Sequence, residues 1–186
     1  MKTKWMIFRN LIGVESVFVL VVVVALCGFC APRTLAAPDH SPCSANSVTR
    51  QFDFWLGEWS VTYPGAPGAS SSKVYLELGQ CVLVENWTGG RNHEGINIFA
   101  YSSDDGHWHG MFADNEGRVH VFEGKVAGGS AEFAGPSRGS NGVSELNRIR
   151  VVRLGPDQVE QTWEKSSDNG ATWKTVFSGQ YSRKKP

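Results

Sequence analysis

The sequence has no excess of positive charge. Its 186 residues include 18 Lys and Arg against 18 Asp and Glu. Residues 1–37, interpreted below as a leader, hold four of the basic residues and one of the acidic ones. The rest of the chain therefore has 14 basic and 17 acidic residues and a net charge of −3. Nucleic-acid-binding domains usually carry a basic patch, so we expect no nucleic-acid partner.

The sequence also lacks the common short motifs of metal and nucleotide chemistry. It contains no His-Glu-x-x-His motif, no P-loop and no dinucleotide-binding glycine fingerprint. His107, His109 and His120 fall on two neighbouring predicted strands and could together hold Zn or Fe. No carboxylate that would orient them is identifiable, however. We therefore expect histidines on the outer face, with no metal and no cofactor.

The longest apolar run is short for a membrane span. Residues 17–31 give about 15 apolar residues, whereas a spanning helix needs roughly 20. Basic residues precede this run, and Thr34-Leu35-Ala36-Ala37 follows it. This order predicts a signal peptide over 1–37 and export to the periplasm or beyond, with no stable membrane insertion after cleavage. An uncleaved anchor helix is the alternative.

Cysteine is scarce outside the leader. Only Cys43 and Cys81 remain after residue 37. In an oxidising compartment, two lone cysteines are expected to pair. We predict a Cys43–Cys81 disulfide, and two buried thiols are the alternative.

Sustained helical periodicity is absent after Leu56, and strand patterns take its place. Residues 49–56 resemble a short amphipathic helix, which Gly57 ends before a first strand at 58–63. Further strand-like runs are separated by glycine turns, several of them Asp-Gly or Asn-Gly. We predict a loose lead-in at 38–47 and an all-β domain at 48–186. The expected fold is a single up-and-down antiparallel barrel of nine or ten strands with a short N-terminal helix, since closure removes the sheet edges. A β-sandwich is the alternative. The runs lie at 73–78, 81–88, 95–101, 107–113, 118–126, 131–134, 143–154, 158–165 and 172–183.

Several blocks of sequence carry a family resemblance. They are Phe-Asp-Phe-Trp-Leu-Gly-Glu-Trp at 52–59, Cys-Val-Leu-Val-Glu-Asn-Trp at 81–87 and Ser-Ser-Asp-Asn-Gly-Ala-Thr-Trp at 166–173. The chain from 43 to 183 resembles the DUF1579-type family of exported bacterial proteins. This resemblance implies a lipocalin- or calycin-like barrel but no enzymatic activity. By analogy with lipocalins, Trp59 should lie on the barrel floor, covered by the helix and by Arg183.

Five residues are candidates for a ligand site inside the barrel. Glu85 and Trp87 share one face of a predicted strand, and Gln161 and Trp163 share one face of another. Asn97 joins them by resemblance to a polar family position, although alternation alone would turn its neighbours Ile96 and Ile98 inward. Two indoles and a few polar groups are typical of small-molecule sites.

These features predict an exported barrel that binds a small, largely apolar molecule. Two alternatives stay open. One is an enzyme of isomerase, cyclase or hydrolase type, with Glu85 or a histidine facing the cavity. The other is a filled barrel with a structural or envelope interaction role.

Overall fold

The computed structural model describes residues 42–65, 70–139 and 142–185. The predicted leader at 1–37 and the first part of the lead-in lie outside these residues. Within the described part of the chain, no helix is both long enough and apolar enough to cross a membrane.

Ten antiparallel strands form a closed barrel. Each strand pairs with the next along the chain, and β1 pairs with β10, from Trp59 opposite Arg183 to Thr62 opposite Gln180. The structure thus confirms the predicted all-β, up-and-down closed barrel. The strands are β1 Gly57–Thr62, β2 Ser70–Glu77, β3 Val82–Thr88, β4 Glu94–Tyr101, β5 Trp108–Asp114, β6 Val119–Ala127, β7 Ser130–Arg138, β8 Ser144–Gly155, β9 Gln158–Ser166 and β10 Lys174–Arg183.

Trp59 closes one end of the barrel, which we call the floor; the opposite end is the mouth. A 3₁₀ turn, Asp53–Trp55, precedes β1, and the buried Trp59 indole donates a 2.9 Å hydrogen bond to the Trp55 carbonyl. The Arg183 guanidinium lies 4.3 Å from the Trp59 ring centroid and donates a 2.8 Å hydrogen bond to the Leu56 carbonyl. The predicted floor, with Arg183 stacked on Trp59, is confirmed.

Aromatic rings fill the half of the barrel next to the floor. Phe52 is fully buried, and its ring centroid lies 5.3 Å from Trp55, 5.4 Å from Phe99, 5.9 Å from Trp108 and 6.0 Å from Phe133. Such edge-on and offset ring pairs contribute beyond the area they bury. This half of the interior is therefore a packed core.

A disulfide joins Cys43 to Cys81, with the Cα atoms 5.0 Å apart, as predicted. It ties the segment before the 3₁₀ turn to the turn between β2 and β3. Next to it, Arg50 donates a 3.2 Å hydrogen bond to the side chain of Gln80. A disulfide of this kind is typical of exported proteins.

Two strands extend more than one residue beyond the runs that the sequence predicts. β2 begins at Ser70, three residues before the predicted run at 73–78, and both Ser70 and Ser72 are buried. β7 continues past the predicted 131–134 to Arg138 despite Pro136. The pairing of β7 with β6 stops at Ala134. Among the described residues, β7 beyond Ala134 pairs in register with β8 alone, and proline is tolerated where a strand lacks a ladder partner on one side.

Candidate functional site

The half of the barrel near the mouth is hollow. It holds a cavity of about 430 Å³ whose lining includes Glu85, Trp87, Asn97, Gln161 and Trp163. The structure thus brings all five predicted site residues to one cavity. Whether they bind a ligand stays a prediction.

Glu85 lies at the inner end of the cavity, at the border with the packed core, and is 0% exposed. Its Oε1 accepts a 2.7 Å hydrogen bond from the Ser72 hydroxyl, and its Oε2 accepts a 2.8 Å hydrogen bond from Asn97 Nδ2. The Tyr181 hydroxyl lies 3.2 Å from Glu85 Oε1 and 2.6 Å from Gln161 Oε1. Three strands, β2, β4 and β10, therefore contribute partners to one buried acid, and Gln161 on β9 joins the network through Tyr181.

This network has more acceptors than protons when Glu85 is ionised. The Tyr181 hydroxyl carries one proton and faces two acceptor oxygens, and the shorter contact is the one to Gln161. If Glu85 is protonated, its carboxyl group can donate that proton to the Tyr181 hydroxyl oxygen. The contact between Tyr181 and Glu85 is then also a hydrogen bond. Burial raises the pKa of Glu85 to about 7, although hydrogen bonds from Ser72, Asn97 and Tyr181 lower it in part. Burial also raises the pKa of Tyr181, and the neighbouring Glu85 adds to that rise.

Two groups of rings form the cavity walls. Tyr63, Trp87 and Phe177, here the Trp87 group, have centroids 5.2 to 6.1 Å apart. Phe112, His120 and Trp163 form the Trp163 group. In it the Trp163 centroid lies 5.0 Å from both Phe112 and His120, with its ring nearly perpendicular to theirs. In the first group, Phe177 lies on β10, Trp87 on β3, and Tyr63 directly follows β1. In the second, Trp163 on β9 reaches the rings of β5 and β6.

Glycines let two of these rings lie along the wall. A Cβ on Gly95 would come within 2.6 Å of the Phe112 ring, and one on Gly179 within 2.7 Å of the Phe177 ring. Each ring thus occupies the space that a side chain at the glycine position would otherwise fill; Gly95 lies on the strand next to Phe112, and Gly179 lies on the same strand as Phe177. The centre of the cavity stays open as a result.

An ion-paired cluster lies at the mouth. The Arg118 guanidinium is 2.6 Å from Asp114 Oδ2, 2.9 Å from His93 Nε2 and 3.1 Å from Glu116 Oε2. His93, Asp114 and Glu116 have the ligand types of a metal site and lie close enough together, but Arg118 places a positive charge among them. Burial raises the pKa of Asp114, but hydrogen bonds from Arg118 and His93 outweigh it and bring that pKa to about 2.

The three predicted histidines do not converge. His107 is exposed and pairs with Glu123, and the partly exposed His109 lies 2.8 Å from Asp105. The expected outer-face position is wrong for His120, which lines the cavity. His120 pairs in register with Phe112, and residues directly opposite on adjacent strands share a face. Burial, with help from nearby Lys165 and Arg118, lowers the pKa of His120.

The sequence predictions missed two members of the Glu85 network. Ser72 lies in what resembles a loop, and nothing in its hydropathy indicates that it is buried. Tyr181 had a usable signal, since it lies two residues before Arg183, the predicted floor residue, and alternation puts both on the inner face. For Asn97 the family resemblance was the better guide. Asn97 is 4% exposed inside the barrel, whereas Ile96 and Ile98 lie on the outer face.

One string in the sequence matches a hydrolase motif without its geometry. Residues 135–139 read Gly-Pro-Ser-Arg-Gly, the Gly-x-Ser-x-Gly pattern in which the serine occupies a sharp strand-to-helix turn. Here Ser137 lies within β7, and its hydroxyl accepts a hydrogen bond from Asn147 Nδ2. The match supplies no activated nucleophile.

The sequence matches no protein-family model and no curated protein. The resemblance to the DUF1579-type family therefore stays a prediction. Among solved structures, the chain is similar to the S-type phycobiliprotein lyase CPES from Guillardia theta. The identity is 13% and the TM-score 0.47, over 78% of this chain and 97% of the lyase. It is also similar to EF1p2_mFAP2b, a protein solved bound to DFHBI. Here the identity is 12% and the TM-score 0.30, over 74% of this chain and all of the other. These similarities are too weak to support an argument about what this barrel binds.

Proposed function

We propose that this protein is an exported barrel that binds a small, largely apolar molecule in its cavity. The observation that carries the proposal is the contrast between the two halves of the interior. Rings pack the half next to the floor, whereas the half near the mouth keeps a cavity of about 430 Å³. Small-molecule sites have volumes of about 300–1,000 Å³, mostly apolar walls and a few oriented polar groups.

The glycines facing the cavity support a binding role. A larger residue at Gly95 would push Phe112 towards the centre and help to fill the space. A barrel with a purely structural role needs stability, and filling apolar space stabilises a core. The sequence instead has glycine at a position where a side chain would close the cavity.

Export completes the proposal. The Cys43–Cys81 disulfide fits an oxidising compartment, and the proposed signal peptide at 1–37 would deliver the chain there. Membership of the DUF1579-type, lipocalin-like family is part of the same proposal.

Binding of N-phenyl-1-naphthylamine, a neutral apolar fluorophore, tests this function. We expect saturable one-to-one binding that weakens at least about fivefold in Gly95→Ala, where a single methyl group displaces the Phe112 ring. Gly155→Ala is the matched control, because a Cβ there meets open space. Neither glycine has a positive φ, so the backbone accepts alanine at both positions. Absence of binding, or equal binding by all three proteins, would contradict the proposal.

A further inference from the structure

We infer that the ligand is a flat, conjugated ring molecule whose inner end carries one neutral group able both to donate and to accept a hydrogen bond. This inference rests on the proposed function and specifies the chemistry of the ligand. Two observations carry it: the arrangement of the rings around the cavity and the polar atoms left without partners at its inner end.

The walls favour a flat ligand. The Trp87 and Trp163 groups approach the cavity from different arcs of the barrel. On β4 between them, Gly95 and Asn97 place no ring on the inner face. Because Phe112 and Phe177 lie along the wall over glycines, their faces are available from the interior. A planar ring can stack against such faces, and each aromatic pair contributes about 0.5–1.5 kcal/mol beyond buried area. A flexible chain would gain no stacking and would lose rotational freedom on binding.

The inner end offers one donor and one acceptor. Gln161 is 6% exposed, and its Oε1 lies 2.6 Å from the Tyr181 hydroxyl. Among residues 42–65, 70–139 and 142–185, its amide nitrogen has no hydrogen-bond partner. Asn97 shows the reverse arrangement: Nδ2 bonds to Glu85, and the buried Oδ1 has no partner within the same ranges. A buried polar group without a partner costs about 1–3 kcal/mol, so a ligand group that bonded to Asn97 Oδ1 would recover part of that cost.

The group that bonds there should be neutral. Glu85 lies directly behind Asn97, and its side-chain hydrogen-bond partners within the described ranges, Ser72, Asn97 and Tyr181, include no basic residue. A carboxylate at the inner end would therefore face an acid rather than a cation. A hydroxyl on the ring, or a ring amide, offers the required donor and acceptor without charge.

Four ten-carbon probes separate these features: 2-naphthol is flat with a hydroxyl, naphthalene is flat without one, 1-adamantanol is round and 1-decanol is a chain. Displacement of N-phenyl-1-naphthylamine from the folded protein measures the affinity of each. We expect 2-naphthol to bind at least about tenfold more tightly than either aliphatic alcohol. It should also bind more tightly than naphthalene. This order is measured on the unmodified protein and needs no variant.

Gln161→Leu then tests the inner end. We expect it to weaken 2-naphthol binding about tenfold and to leave naphthalene unchanged. Gln180→Leu, on the outer face of the adjacent strand, is the matched control. Equal affinity for all three alcohols would overturn the inferred ligand shape while the proposed function survives. If Gln161→Leu still binds 2-naphthol more tightly than naphthalene by the same factor as the unmodified protein, the inferred inner-end contact is overturned. Failure of every probe and of the fluorophore would overturn the proposed function as well.

Discussion

The buried acid should make the stability of this protein depend on pH in a direction opposite to that of most carboxyl groups. Glu85 is fully buried, and its pKa rises from 4.5 to about 7 in the folded barrel. The folded state therefore binds the proton more tightly than the unfolded chain does. The stabilisation from this proton is fully present below pH 4.5 and is lost as the pH rises through 7. The barrel should be more stable at pH 5 than at pH 8 with respect to this group.

The size of the effect follows from the pKa difference. One pKa unit corresponds to about 1.4 kcal/mol, so the full shift corresponds to roughly 3 kcal/mol. Most of this stabilisation is lost between pH 5 and pH 8, where we expect the free energy of unfolding to fall by roughly 2 to 3 kcal/mol.

Glu85→Gln is the perturbation that isolates this group. Glutamine keeps the shape and cannot ionise. The amide oxygen of the new glutamine can still accept a hydrogen bond from the Ser72 hydroxyl. Its amide nitrogen can donate to the unpartnered Oδ1 of Asn97 if the Asn97 amide flips so that Oδ1 faces residue 85. We therefore expect Glu85→Gln to fold.

Chemical denaturation at half-unit steps from pH 5 to pH 8 measures both proteins. The free-energy difference between wild type and Glu85→Gln should change by roughly 2 to 3 kcal/mol across this range, with wild type losing stability as the pH rises. His120 titrates in both proteins and cancels in the difference. Asp114 and Asp168, whose pKa values are about 2, stay ionised throughout. Parallel pH profiles for the two proteins would refute the assignment of a raised pKa to Glu85.

Two further predictions concern the floor and the disulfide. Trp59→Ala removes a fully buried indole together with its bond to Trp55 and should cost about 3–5 kcal/mol of unfolding free energy; a loss below about 1 kcal/mol in denaturant melts would show that Trp59 is not central to the core. Replacing Cys43 and Cys81 by serine opens a loop spanning 38 positions and should lower the free energy of unfolding by about 4 kcal/mol on the chain-entropy model. Reduction of wild type should then give the same melting temperature as the double variant, and a reduced wild type as stable as the oxidised protein would contradict this account.

The floor and the closure of the barrel could be predicted from sequence because each leaves a local signal. The glycine at Gly57 has φ 130°, a region that favours glycine, and the alternation from Trp59 fixes which face is inside. Tight glycine turns between short strands give the up-and-down order. The cavity is different, because its shape depends on where rings of neighbouring strands lie relative to each other. The contact between Gly95 and the Phe112 ring is visible only once the register, which pairs Gly95 with Asp114, is known.

The hydropathy pattern predicts the wrong inner face for β4, and the reason is physical. Ile98, Met111 and Val121 form a row across the outer face of β4, β5 and β6, and Val121 is 60% exposed. The inner face of the same strand carries Asn97. A rule that places apolar residues inside the barrel therefore assigns the wrong face of β4 to the interior. The inward amide is stable because its nitrogen donates to Glu85, and a buried polar group that is hydrogen-bonded avoids most of its desolvation cost. Such a contact joins residues of two strands and leaves no periodic trace in either.

The position of Glu85 divides the interior into parts with different roles. Below it, Phe52, Trp55 and Trp59 are fully buried and joined by ring contacts and a hydrogen bond, so substitutions there should act on stability. Above it, rings line a space that they do not fill, so truncation of a wall ring removes fewer packing contacts and should act mainly on binding. Because the Glu85 network spans β2, β3, β4, β9 and β10, it fixes the strands at the border between the two parts. A polar layer of this kind lets the cavity stay open without loosening the core beneath it.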